Sequence, residues 1–312
     1  MQEGIFSNDK LADNEVEFCV FSDVHIANDD GDVSRSLTNQ GRNDYIFASN
    51  KTWTPISGEA YTLKRFCEKV NWSGRCGHFD DGKRVAVFLG DIINGECGYF
   101  ASYNSIAYKM LSSAFMPWFD TGNIVYVPGN HDREARFYSV MTNFPRKCIV
   151  EEQYERCGII FKHGHQFDFL CNGKSLLGMS GEIASNVVVK LFSPKTEDLL
   201  RNRGVYHDKD SSNHIRDLRS LPQYATLQTM SNENRRVAEN AMKELVRRSA
   251  GDSKNPPMHT IVCGHTHQAP VMIQMRNSRL LTYFNTGKFA KDGYINIRVR
   301  CKYPDLNVWE LV

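Results

Sequence analysis

Five times along this chain a short apolar run stops abruptly, and the residues that follow are glycine, aspartate, asparagine or histidine. Residues 16–21 end in Ser22-Asp23-Val24-His25, and 85–89 end in Gly90-Asp91-Ile92-Ile93-Asn94. Residues 124–127 lead into Pro128-Gly129-Asn130-His131-Asp132, 158–162 into His163-Gly164-His165, and 259–263 into Gly264-His265-Thr266-His267. Runs of this length and β-rich composition read as buried strands. Glycine and proline at their ends turn the chain. The construction predicts a sheet scaffold whose strand tips carry chemistry into a shared crevice. In extended geometry residues i and i+2 share a side, so Asp23 and His25 can converge on one ion. Any one of these tips is an ordinary polar strand end. The repetition is informative, because six of the ten histidines fall on the tips.

Between the tips the period changes. Residues 58–70 read as a helix with Leu63, Phe66 and Val70 on one face, and 99–119 as another with Ile106, Met110, Ala114 and Phe115 inward. A short helix is expected from Asp132 to about Asn143. Segments 271–275, 280–285, 294–300 and 306–311 read as alternating antiparallel strands, with turns at Asn277 and Asp292-Gly293. The pattern predicts an α/β chain of the α+β type, a single domain over 1–312 with two insertions. The first, 26–84, is polar and turn-rich; its Asp-rich run at 28–32 lacks the distal glutamate of a calcium loop. The second, 172–257, has helical composition at 174–191 and 226–250, the latter with Ala238, Ala241, Met242 and Leu245 at helical spacing. Its arginines form either a solvated face or a hold for an anionic substrate.

Bulk composition excludes several classes. With 41% hydrophobic residues the 312-residue chain can bury a full core. A net charge of +2 argues against a dedicated nucleic-acid surface. No apolar run approaches the ~18 residues of a membrane span, and the N-terminus lacks the basic start of a secretory signal. Nine cysteines with no C-x-x-C spacing point to a reducing, cytoplasmic compartment and structural thiols.

Carboxylate, imidazole and amide oxygen together suit Mn²⁺, Fe or Zn²⁺ better than Ca²⁺. They are too many for one ion and suffice for two sharing a carboxylate. In this order, Asp23-x-His25, Gly90-Asp91-x-x-Asn94, Gly129-Asn130-His131-Asp132, His163-Gly164-His165 and Gly264-His265-x-His267 resemble the motif set of the calcineurin-like metallophosphoesterase superfamily. Asn285-Thr286-Gly287 resembles the Asn-x-Gly turn that often follows the last motif. The resemblance covers roughly 16–168 and 258–312.

The resemblance implies a two-sheet β-sandwich flanked by helices, with two divalent metal ions at one edge and Mn²⁺ first among them. Asp23, His25 and His267 would hold one ion, and Asn130, His163 and His265 the other. Asp91 would bridge them. His131 would stay off the metals and serve catalysis, while metal-activated hydroxide hydrolyses a phosphate ester of a small substrate. Asn94 stands where the family often has aspartate. Asp132 is a candidate orienter of His131, and His165 a second-shell or substrate-facing group. The position of 172–250, between the fourth and fifth motifs, resembles the lid of UDP-diacylglucosamine pyrophosphohydrolase-like relatives. His165 and His131 depart from those, which more often have Asp and Arg there. A nucleotide-lipid pyrophosphate hydrolase with peripheral lipid contact is therefore one alternative. A nuclease and a metal-bound protein-binding scaffold are two others. Oligomeric state is not legible.

Overall fold

A computed structural model describes residues 4–24, 45–47, 53–55, 58–78, 81–92, 106–118, 123–130, 132, 148–168, 232–250, 257–269, 271–276, 279–289, 293–303 and 308–311. The chain opens with β1 (Glu15–Phe21), the short pair β2 (Tyr45–Phe47) and β3 (Trp53–Pro55), and α1 (Gly58–Arg75). Then come β4 (Arg84–Phe88), α2 (Ile106–Phe115), a 3₁₀ turn at Met116–Trp118, β5 (Ile124–Tyr126), β6 (Ile149–Val150), β7 (Tyr154–Arg156) and β8 (Ile159–Phe161). After a 3₁₀ turn at His165–Phe167 follow α3 (Asn232–Arg248), β9 (Thr260–Cys263), β10 (Val271–Arg276), β11 (Arg279–Asn285), β12 (Ile295–Tyr303) and β13 (Val308–Leu311).

Two mixed sheets result. The first runs β13-β12-β1-β4-β5-β6 and the second β10-β11-β9-β8-β7. Within the first, β1, β4, β5 and β6 are parallel, with Phe21 beside Phe88 and Phe88 beside Tyr126. Within the second, β8, β9 and β11 are parallel, with Phe161 beside Val262 and Cys263 beside Asn285. The expected polar tips are the carboxyl ends of these parallel strands, where ligands of α/β sheets are usually held.

Alternation along each strand sorts the core. Cys19, Phe21, Ala86, Phe88, Ile124 and Tyr126 pack with Leu63, Phe66 and Val70 of α1 and Ala114 and Phe115 of α2. The neighbours Phe18, Val20, Val85, Val87 and Val125 join Ile159, Phe161, Val262 and Phe284 of the second sheet in another cluster. The Phe18 and Phe161 rings there lie 4.9 Å apart. Ile160, Ile261, Leu281 and Tyr283 pack with Ala238, Ala241, Met242 and Leu245 of α3. The segment 26–84 therefore contains a helix whose apolar face is built into the core, and 172–257 contains another.

The four C-terminal strands are not one meander. β10 and β11 form a hairpin in the second sheet, while β12 pairs with β1 and β13 in the first. The chain changes sheets through the segment after Asn285, and periodicity alone cannot see which sheet a strand joins. β2, β3 and β7 are additions to the expected strands. The expected helix at 132–143, the helix at 174–191 and the Asp-rich run at 28–32 lie outside the described residues. No helix among those described is long and apolar enough to cross a membrane.

Candidate metal centre

Three of the five tips are bent into a backbone shape that side chains rarely accept. Among the described residues, five non-glycine positions have positive φ: Asp23 (54°), Asp91 (52°), Cys157 (55°), His265 (73°) and His267 (53°). Four of the five are tip residues. Such conformations cost about 1–3 kcal/mol each and persist where the surroundings over-determine them. Here they aim carboxylates and imidazoles away from the strand axis, toward the space between the two sheets' carboxyl ends.

Two glycines make room for this. A Cβ on Gly90 would stand 2.4 Å from His163 Nδ1, and one on Gly129 would stand 2.1 Å from Asp91 Oδ1. Contacts that short do not occur, so neither position tolerates a side chain without moving a site residue.

The tips of the two sheets meet. Single donor atoms of Asp91, His163 and His265 lie within 4.8 Å of one another. His163 is fully buried, and its Nδ1 lies 2.8 Å from the carbonyl oxygen of Leu89. A carbonyl only accepts, so Nδ1 carries a proton and Nε2 is the nitrogen turned toward the cluster. That Nε2 lies 3.1 Å from Asp91 Oδ2 and makes no aligned hydrogen bond. Burial disfavours the imidazolium, but the Asp91 carboxylate outweighs it, and the His163 pKa is raised to about 9. The buried Asp91 and Asp23 carboxylates thus draw positive charge to the His163 Nε2, the place where a cation would stand instead of a proton.

Asp23 organises the neighbouring half. Both its oxygens accept the His265 backbone N–H, at 3.0 and 3.2 Å, and His267 Nε2 lies 3.3 Å from Oδ1. Burial pushes the Asp23 pKa up, but His267 and His163 prevail and hold it below the usual value. Ser22 Oγ donates to Asp23 and meets the Thr286 hydroxyl. Asn285 donates to the Gly264 carbonyl, and its own Oδ1 accepts the Gly287 N–H at 2.9 Å. The Asn-x-Gly turn is thus a bracket under the last motif. The pairings of Ser22 with Thr286 and of His265 with Asp168 are not legible in the sequence, because they join residues 264 and 97 positions apart.

Asp132 is buried beneath the tips. It accepts hydrogen bonds from the Ile92 N–H at 2.9 Å, the Gly129 N–H at 2.5 Å and the Tyr126 hydroxyl at 2.5 Å. Burial and the nearby Asp91 charge raise its pKa. The carboxylate ties the second tip to the third. His165 stands at the rim of the cluster, its ring centroid 5.5 Å from that of His163 and 6.4 Å from that of His265.

The donor set fits a divalent cation. Asp23, Asp91 and Asp132 are each 1% exposed, and buried carboxylates in one cluster require cationic partners. Asn130 Oδ1 is buried with no hydrogen-bond partner, an oxygen that a hard cation would satisfy. Of the expected site residues, Asp23, Asp91, Asn130, Asp132, His163, His165, His265 and His267 are described, and His25, Asn94 and His131 lie outside the described residues. Comparison with known sequences agrees with the chemistry: the calcineurin-like phosphoesterase family model matches residues 16–269. No curated protein matches the chain. The chain belongs to the calcineurin-like phosphoesterase family, metal-dependent hydrolases of phosphoric esters.

Proposed function

We propose that the chain hydrolyses a small phosphate ester at a site for two divalent ions. Asp23, His25 and His267 would hold one, Asn130, His163 and His265 would hold the other, and Asp91 would serve both. The observation that carries this reading is the approach of Asp91, His163 and His265 to within 4.8 Å, with the His163 tautomer set by Leu89. Bound cations supply Lewis-acid charge for the phosphoryl oxygens and lower the pKa of an attacking water. The mixed oxygen and nitrogen donors suit Mn²⁺, with Fe and Zn²⁺ as alternatives. The cluster shared by the two sheets supports the sandwich form, whose edge would place the ions between the strand tips.

The chain's own groups do the rest. Asp132 keeps the second and third tips in register. His131, free of metal, protonates the leaving oxygen, a contribution of about 10²–10⁴-fold. His165 faces the substrate. Free cysteines at seven described positions, six of them buried, support a reducing compartment such as the cytoplasm.

The test compares Asp91→Asn and His131→Ala on a Mn²⁺-supplemented panel of monoester, diester and nucleotide-sugar pyrophosphate. Both variants lose turnover, and only Asp91→Asn loses metal. Metal loss in His131→Ala would overturn the division of roles. Failure of the wild type on every substrate would favour a binding scaffold.

A further inference from the structure

His265 is held at both ends. Its backbone N–H is fixed by Asp23, and its ring Nε2 lies 3.1 Å from Asp168 Oδ2, with side chains only 12% and 11% exposed. Asp168 is outside the cluster formed by Asp91, His163 and His265. We propose that Asp168 is the positioning residue for His265: its carboxylate holds the imidazole as the Nε2–H tautomer and leaves Nδ1 for the metal. This inference rests on the metal-site reading above.

The chain builds this contact deliberately. Gly164, at φ 116°, starts a single 3₁₀ turn. The Phe167 N–H bonds the Gly164 carbonyl at 2.9 Å, and the Asp168 N–H bonds the His165 carbonyl at 3.1 Å. That turn brings Asp168 back against the last motif. Helix α3 braces both partners: Asn240 donates to the Phe167 carbonyl at 3.1 Å, and Asn234 to the Thr266 carbonyl at 3.4 Å. A carboxylate on the far nitrogen of a ligating histidine fixes its tautomer and ring plane and raises its basicity. Losing such a partner typically weakens metal binding about 10–100-fold.

The experiment titrates the full chain with Mn²⁺ by EPR, as wild type, Asp168→Asn and Asp168→Ala. A ¹H–¹⁵N long-range correlation spectrum of the wild type reads the His265 tautomer. Affinity is expected to fall about 10–100-fold in Asp168→Ala. The loss is expected to be smaller in Asp168→Asn, which keeps an acceptor oxygen, and His265 is expected to carry its proton on Nε2. Unchanged affinity in Asp168→Ala, or a wild-type His265 protonated on Nδ1, overturns the proposal. If Asp168→Ala does not fold, Asp168→Asn and the tautomer decide. A wild-type chain that binds no Mn²⁺ by EPR and no Fe or Zn²⁺ by elemental analysis overturns the metal-site reading itself, an outcome distinct from the other two.

Discussion

The backbone N–H of Ile92 donates to Asp132 Oδ2 at 2.9 Å, across a gap of 40 residues in sequence. That bond ties the loop after β4 to the loop after β5. Asp132→Ala would leave the Ile92 and Gly129 N–H groups and the Tyr126 hydroxyl without their acceptor. A buried donor left unsatisfied costs about 1–3 kcal/mol. The variant is expected to lose at least about 2 kcal/mol of stability in urea unfolding, and to bind Mn²⁺ more weakly because Asp91 and Asn130 flank the same bond. Unchanged metal affinity in a destabilised variant would show that Asp132 supports the fold alone.

Gly129→Ala is a local test of the pocket. Its new Cβ would stand 2.1 Å from Asp91 Oδ1 and 2.6 Å from the Asp91 backbone nitrogen. Backbone cannot swing aside as a flexible side chain can, so the Asp91 carboxylate must shift. Metal stoichiometry by elemental analysis is expected to drop. Gly82→Ala is the control. At φ +68° it carries a left-handed strain of about 1–2 kcal/mol, but its Cβ meets nothing within 4 Å, so it should retain metal.

Leu245 tests whether α3 belongs to the body. It is fully buried among Ile261, Leu281 and Tyr283 of the second sheet. Leu245→Ala is expected to cost about 2–5 kcal/mol in chemical unfolding. A loss below about 1 kcal/mol would contradict core packing, since surface substitutions fall near ±0.5 kcal/mol.

His259 gives the acid limb of stability. Burial lowers its pKa from 6.5 to about 4, so the fold favours the neutral ring. Between those values the unfolded chain binds more protons, and stability rises with pH. The contribution is fully present above pH 6.5 and is lost as pH falls toward about 4, by about 3 kcal/mol. Between pH 6.5 and about 4 the wild type is expected to lose melting temperature relative to His259→Leu, whose side chain binds no proton. Parallel curves would remove His259 as the cause.

Much of the architecture is legible along the chain because it is periodic. Phe18 and Val20 alternate with Cys19 and Phe21, and the two sets enter different clusters. Leu63, Phe66 and Val70 recur at helical spacing and are all buried. The site residues are legible for another reason: glycine, carboxylate and imidazole just past an apolar run serve little purpose in a core. Sheet membership is not periodic. β11 and β12 follow one another along the chain, yet they join different sheets.

The sequence by itself determined the strands, their polar ends and the donor chemistry, since these depend on near neighbours and on residue type. Tertiary structure decided which tips meet. His163 reaches Asp91 because the second sheet's carboxyl ends face those of the first. Ser22 reaches Thr286 by the same closure, whereas Asp132 reaches Ile92 and Asp168 reaches His265 through the parallel pairing of β4 with β5 and of β8 with β9. Such contacts span tens to hundreds of residues, and their distances are set by strand pairing within each sheet and by the packing of one sheet's residues against the other's.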